Sequence, residues 1–152
     1  MKRLLVILAL ILIGPGCQPA MDKPGLTFYL QTIHGNDDDA PPTPDAKPIG
    51  PKLNEKLRSV WKWKHYWELK RDSAVVKPGQ RVRKRMSAER EVEIELTDLR
   101  TMTARIYFNG RLTRSRNQPA EGAFCIAGGD EGKDQSWFIV VRRDRPVDPV
   151  DL

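Results

Sequence analysis

Between residues 81 and 96, charged and apolar side chains alternate with a period of two. Arg81, Arg83 and Arg85 alternate with Val82, Lys84 and Met86, and Glu91, Glu93 and Glu95 alternate with Val92, Ile94 and Leu96. Period two puts each set on its own face of an extended chain. Ser87-Ala88-Glu89 joins the two halves. An antiparallel pairing therefore sets Arg85 opposite Glu91, Arg83 opposite Glu93 and Arg81 opposite Glu95. Each opposite-charge pair contributes roughly 0.2–1 kcal/mol, and three in register oppose a one-residue slip, which would turn every side chain to the wrong face. A chain that carries this ladder is built around an antiparallel sheet.

The rest of the sequence supplies partners for it. Residues 26–34 (LTFYLQTIH) are rich in strand formers. Residues 63–76 read as one long extended stretch. Residues 101–108 and 111–115 flank Asn109-Gly110, a pair that accepts the positive φ angles of a two-residue hairpin turn. Residues 122–127 and 135–143 supply the last two strands. Both faces of the run Trp137-Phe138-Ile139-Val140-Val141 are apolar, which predicts a central strand covered on both sides. Residues 128–134 read as the loop before that strand. Five prolines and two glycines among residues 35–51 exclude a helix and an interior strand, so residues 36–51 form a Pro/Asp-rich loop. Leu53, Leu57 and Val60 or Trp61 recur at helical spacing after Pro51, giving a short helix over residues 52–60. The expected fold is mainly β: an antiparallel β-sandwich or open barrel of about eight strands with one short helix, in a single domain over residues 21–145, followed by a tail over residues 146–152.

The first residues concern destination. Met1-Lys2-Arg3 precedes an unbroken apolar run over residues 4–13, and Gly14-Pro15-Gly16-Cys17 ends it. This is the pattern of an export signal over residues 1–20. Ten helical residues reach about 15 Å, half of a bilayer's hydrocarbon core of about 30 Å, so removal is expected rather than a permanent span. Cys17 behind the apolar run resembles the lipobox of bacterial lipoproteins, whose cysteine is lipidated and becomes the new N-terminus. Gly16 fits that pattern; Gly14 stands where leucine is usual. The rival is ordinary cleavage after Ala20, with Gln18 a poor match to the small residue preferred there. Acyl chains on Cys17 would hold the protein on a membrane, each buried methylene contributing about 0.8 kcal/mol. The chain is thus expected in the cell envelope, periplasmic or membrane-anchored.

Without its signal the chain has about 132 residues, the size of one domain, and besides Cys17 it holds a single cysteine, Cys125, in the apolar setting Ala123-Phe124-Cys125-Ile126-Ala127. Packing rather than disulfides must stabilise it, and Cys125 reads as a buried inert thiol. Residues 52–145 carry 22 Lys and Arg against 13 Asp and Glu. Such a basic body attracts an anionic partner, an envelope polymer or lipid headgroups; export makes nucleic acid the least available. The plainer account of the same charge is a solvated surface without a ligand.

The segments WKWKHYWELKR, VKPGQRVRKRMSAEREVEIEL and GGDEGKDQSWFIVVRRD resemble those of a family of small exported bacterial proteins with no assigned function, over roughly residues 26–145. The resemblance implies export and a shared β-domain, and brings no catalytic residues with it.

Trp61, Trp63, His65 and Trp67 alternate with Lys62, Lys64, Tyr66 and Glu68. On an extended chain the tryptophans share one face and the lysines the other. This pattern has two readings: a binding surface of stacking aromatics beside cations, or a half-buried strand with core tryptophans. His34 ahead of Asp37-Asp38-Asp39, and the acidic segment 128–134, raise the thought of a cation, but neither has metal-site spacing, and both read as solvated turns. No nucleophile elbow, P-loop or Rossmann glycine pattern is present, and arginine partners would keep Glu91, Glu93 and Glu95 ionised. No metal, cofactor or catalytic residue is assigned. The reading is a non-enzymatic, exported cell-envelope protein whose β-domain binds a macromolecular or anionic partner. A small hydrolase or carbohydrate-active enzyme on the same sandwich is the alternative. A third reading makes residues 26–34 a strand donated to another envelope protein.

Overall fold

A computed structural model of the chain describes residues 23–149. The export signal, Cys17 and both cleavage positions lie outside the described residues. Nine strands and one helix run in the order β1 (Leu26–Asn36), β2 (Lys47–Pro48), α1 (Pro51–Arg58), β3 (His65–Val76), β4 (Arg81–Arg85), β5 (Arg90–Leu96), β6 (Thr101–Phe108), β7 (Arg111–Pro119), β8 (Phe124–Asp130) and β9 (Gln135–Arg142). They form two antiparallel sheets, one of five strands ordered β2-β3-β1-β9-β8 and one of four ordered β4-β5-β6-β7. Among the described residues no helix is long and apolar enough to cross a membrane.

The two sheets face each other across the main core. Phe28, Leu30, Ile139 and Val141 from the first sheet meet Val92, Ile94, Leu96, Met102 and Ile106 from the second. A second apolar cluster covers the outer face of the five-stranded sheet, where Leu53 and Leu57 of α1 pack on Ile33, Tyr66, Phe138 and Val140. An eight-residue helix is marginal alone, so this contact holds it. β9 feeds both cores, Ile139 and Val141 inward and Phe138 and Val140 outward, as its unbroken apolar run predicts. The arrangement is three layers: helix, sheet, sheet.

β4 and β5 pair with Arg81 opposite Glu95, Arg83 opposite Glu93 and Arg85 opposite Glu91, the expected register. Their side chains bond diagonally as well as directly. Arg83 reaches Glu91 at 2.7 Å, and Arg105 from β6 reaches Glu93 at 3.2 Å and Glu95 at 2.6 Å. Arg105, and then Arg81, hold the Glu95 carboxyl below its ordinary range. Asn109 and Gly110 have φ of 47° and 75°, the two positive angles of a type I′ turn.

Three expectations are corrected. The Pro/Asp-rich loop is not wholly irregular: Lys47 and Pro48 pair with Glu68 and Trp67 at the sheet's edge, where a proline is tolerated because its missing N–H faces outward. The stretch over residues 63–76 becomes a strand only at His65. And residues 26–34 are not free to be donated, because β1 is hydrogen-bonded along both edges, to β3 and to β9. Beyond β9 the chain folds back onto the start of α1. Pro146 is buried, Asp148 pairs with Arg71 at 2.6 Å, and a Cβ placed on Gly50 would collide with the Val147 carbonyl oxygen.

Candidate functional site

The tryptophan–lysine segment does not fold as one alternating surface. Trp61 and Trp63 precede β3 and are half-buried against the second core. Trp61 meets the Phe138 ring edge-on at 4.7 Å between centroids, and Trp63 covers Gly35, where a Cβ would lie 2.7 Å from its ring. Lys62 and Lys64 are exposed. Within β3 the alternation runs the other way: Tyr66 and Glu68 are buried, while His65 and Trp67 lie on the opposite face, stacked at 5.7 Å. The Trp67 indole N–H donates to Asn36 Oδ1 at 3.1 Å. The structure thus brings His65 to Trp67 and Trp61 and Trp63 to Phe138, and it separates the two pairs.

The aspartates nearby diverge. Asp37 accepts from the Lys64 backbone N–H at 2.9 Å, Asp38 from the Asn36 amide at 3.5 Å, and Asp39 lies 2.9 Å from His65 Nε2. His34 is buried; desolvation lowers its pKa below the ordinary 6.5, with Glu131 and Asp38 opposing. Among the described residues no three His, Cys, Asp or Glu side chains are grouped as metal ligands.

A different feature emerges at the far edge of the sandwich. On the β3–β4 side the sheets are laced together: the Lys70 ammonium donates to the Arg85 carbonyl at 2.6 Å, and Lys84 pairs with Asp72 at 3.4 Å. On the β7–β8 side, no hydrogen bond or ion pair joins the two edge strands among the described residues, and a seam of about 540 Å³ lies between them. Ala104, Ile106, Cys125 and Ala127 form its apolar walls, and Arg114 and Arg116 line its mouth.

A bulge sets those arginines. Phe108 pairs with Arg111 and Tyr107 with Leu112, but Ile106 pairs with Arg114, so Thr113 is an extra residue in β7. Its hydroxyl donates to the Ile106 carbonyl at 3.0 Å. One extra residue inverts the facing parity of every residue after it in the strand. Arg114 and Arg116 thereby share a face with Ile106 and Ala104, the face toward the other sheet. Side chains from Arg111 to Asn117 are exposed, this stretch has no acidic residue, and Arg111, Arg114 and Arg116 have no carboxylate partner among the described residues.

Cys125 at the seam's wall is buried and free. Desolvation raises its thiol pKa, and Arg116 only partly opposes this, so the sulfur stays protonated and unreactive at neutral pH. Sequence reading named neither Arg114 nor Arg116. The signal that could have found them is three arginines with no acid in one strand.

No protein-family model matches the sequence, and no curated protein or solved structure matches it either.

Proposed function

We propose that this is a non-enzymatic, exported cell-envelope protein, lipid-anchored at Cys17 or periplasmic, whose sandwich binds an acidic extended segment of a partner protein along β7. One observation carries the reading: the sandwich is laced on one side and open on the other, and the open side is lined by arginines without partners. A strand added to the free edge of β7 satisfies backbone groups, and carboxylates at every second position, on its seam-facing side, meet Arg114 and Arg116. Bare arginines on an edge strand also deter a second copy of this basic chain. The same charge that repels a copy attracts an acid. The resemblance to small exported bacterial proteins and the signal-like residues 1–20 support the envelope as the place where this happens.

The test is a fluorescent peptide alternating valine and aspartate, followed by anisotropy. Binding that weakens at least about tenfold in an R114E/R116E variant, and weakens further with added salt, supports the proposal. Equal affinity for the variant, or for a peptide with lysine in place of aspartate, overturns it.

A further inference from the structure

A second cavity lies on the opposite face of the five-stranded sheet, between the start of α1 and the segment after β9. It holds about 240 Å³, with Gln31 and Arg142 among its lining residues together with Lys52, Leu53 and Arg145. A single water needs only about 10–15 Å³ of such space, so the cavity admits a molecule of several heavy atoms.

Its polar groups are specific. Gln31 is 1% exposed. Its Nε2 donates to the Glu68 carboxylate, which also accepts from Arg71 at 2.8 and 3.1 Å. An ionised carboxylate can only accept, so Glu68 fixes the amide with Nε2 toward itself and Oε1 away. That Oε1 is buried and has no partner, a desolvated acceptor that is unfavourable unless a donor arrives. Arg142, 5% exposed, holds Asp144 through Nε at 2.9 Å and through Nη2. No side chain caps α1, and Lys52 and Leu53 of its first turn line the same cavity, which puts the positive end of the helix beside it.

We infer that this cavity is a binding site for a small hydroxylated carboxylate of monosaccharide size, such as a sugar acid. Gln31 Oε1 requires a hydrogen-bond donor. Lys52, Arg142 and Arg145 against the single Asp144 disfavour a cationic donor and leave a hydroxyl. The same cations and the helix start take the carboxylate. The close approach of Val147 to Gly50 shapes the lip, because only glycine leaves room there.

Titration of the isotope-labelled protein with D-glucuronate, read by amide resonances, tests this; glucose and acetate serve as comparisons. Saturable shifts of the Gln31 side-chain amide and the Lys52 and Leu53 backbone amides are expected with glucuronate. Gln31→Leu should weaken binding at least about tenfold. Lys52→Glu, at an exposed position where an acid suits the helix start, should do so with the fold intact. The R114E/R116E variant should bind as the parent does, which separates this site from the seam. Glucuronate that shifts none of these signals, acetate or glucose that binds as tightly, or Gln31→Leu binding unchanged overturns the inference.

Discussion

At the residue scale, His34 couples folding to pH. It sits buried beside Trp67 and Trp137 in the sheet register, and burial holds its folded pKa below 6.5. The unfolded chain takes up a proton near pH 6.5 that the folded chain does not. Stability is therefore full above pH 6.5 and falls as pH drops from there toward the folded pKa. His34→Gln should flatten that part of the profile, measured as melting temperature against pH; an acid limb unchanged by the substitution would assign the loss to another group. His34 stood out in the sequence because histidines are few. Its burial did not, since three aspartates come soon after it and composition there reads as solvent-facing.

At the element scale, the arginine–glutamate ladder of β4 and β5 is the part of the fold most legible in the sequence. Its partners are close along the chain, so alternation alone determines the register. Replacing Glu91, Glu93 and Glu95 with lysine should lower stability by about 0.6–3 kcal/mol, taking three cross-strand pairs at roughly 0.2–1 each, read as a melting shift of up to several degrees. Unchanged melting would mean the ladder contributes nothing. β7 is the opposite case. Its turn was legible from Asn109-Gly110, yet the bulge at Thr113 left no mark in composition, and one residue of parity decides whether Arg114 and Arg116 face solvent or the seam. The same holds for β3. Period two was visible through Trp61-Lys62-Trp63-Lys64, but the strand begins at His65, and the tryptophans reach the core from the connecting segment.

At the scale of the whole molecule, the sandwich class was readable from strand count and hairpin spacing, whereas the helix layer was not, because nothing local says which sheet face a short helix covers. The two cores share β1 and β9, so they are expected to unfold together. Leu57→Ala in the outer core and Ile94→Ala in the inner one should each cost about 2–5 kcal/mol. Each should shift one common transition, seen alike by tryptophan emission and by far-ultraviolet dichroism. Two separate transitions would make the layers independent. The strand order has a consequence for synthesis. β1 is the middle strand of its sheet, yet one neighbour is β9, the last strand described. Such distant pairing closes slowly, so one edge of β1 stays open until β9 has been synthesised, and over that interval its bare backbone groups are a template for any other extended chain nearby.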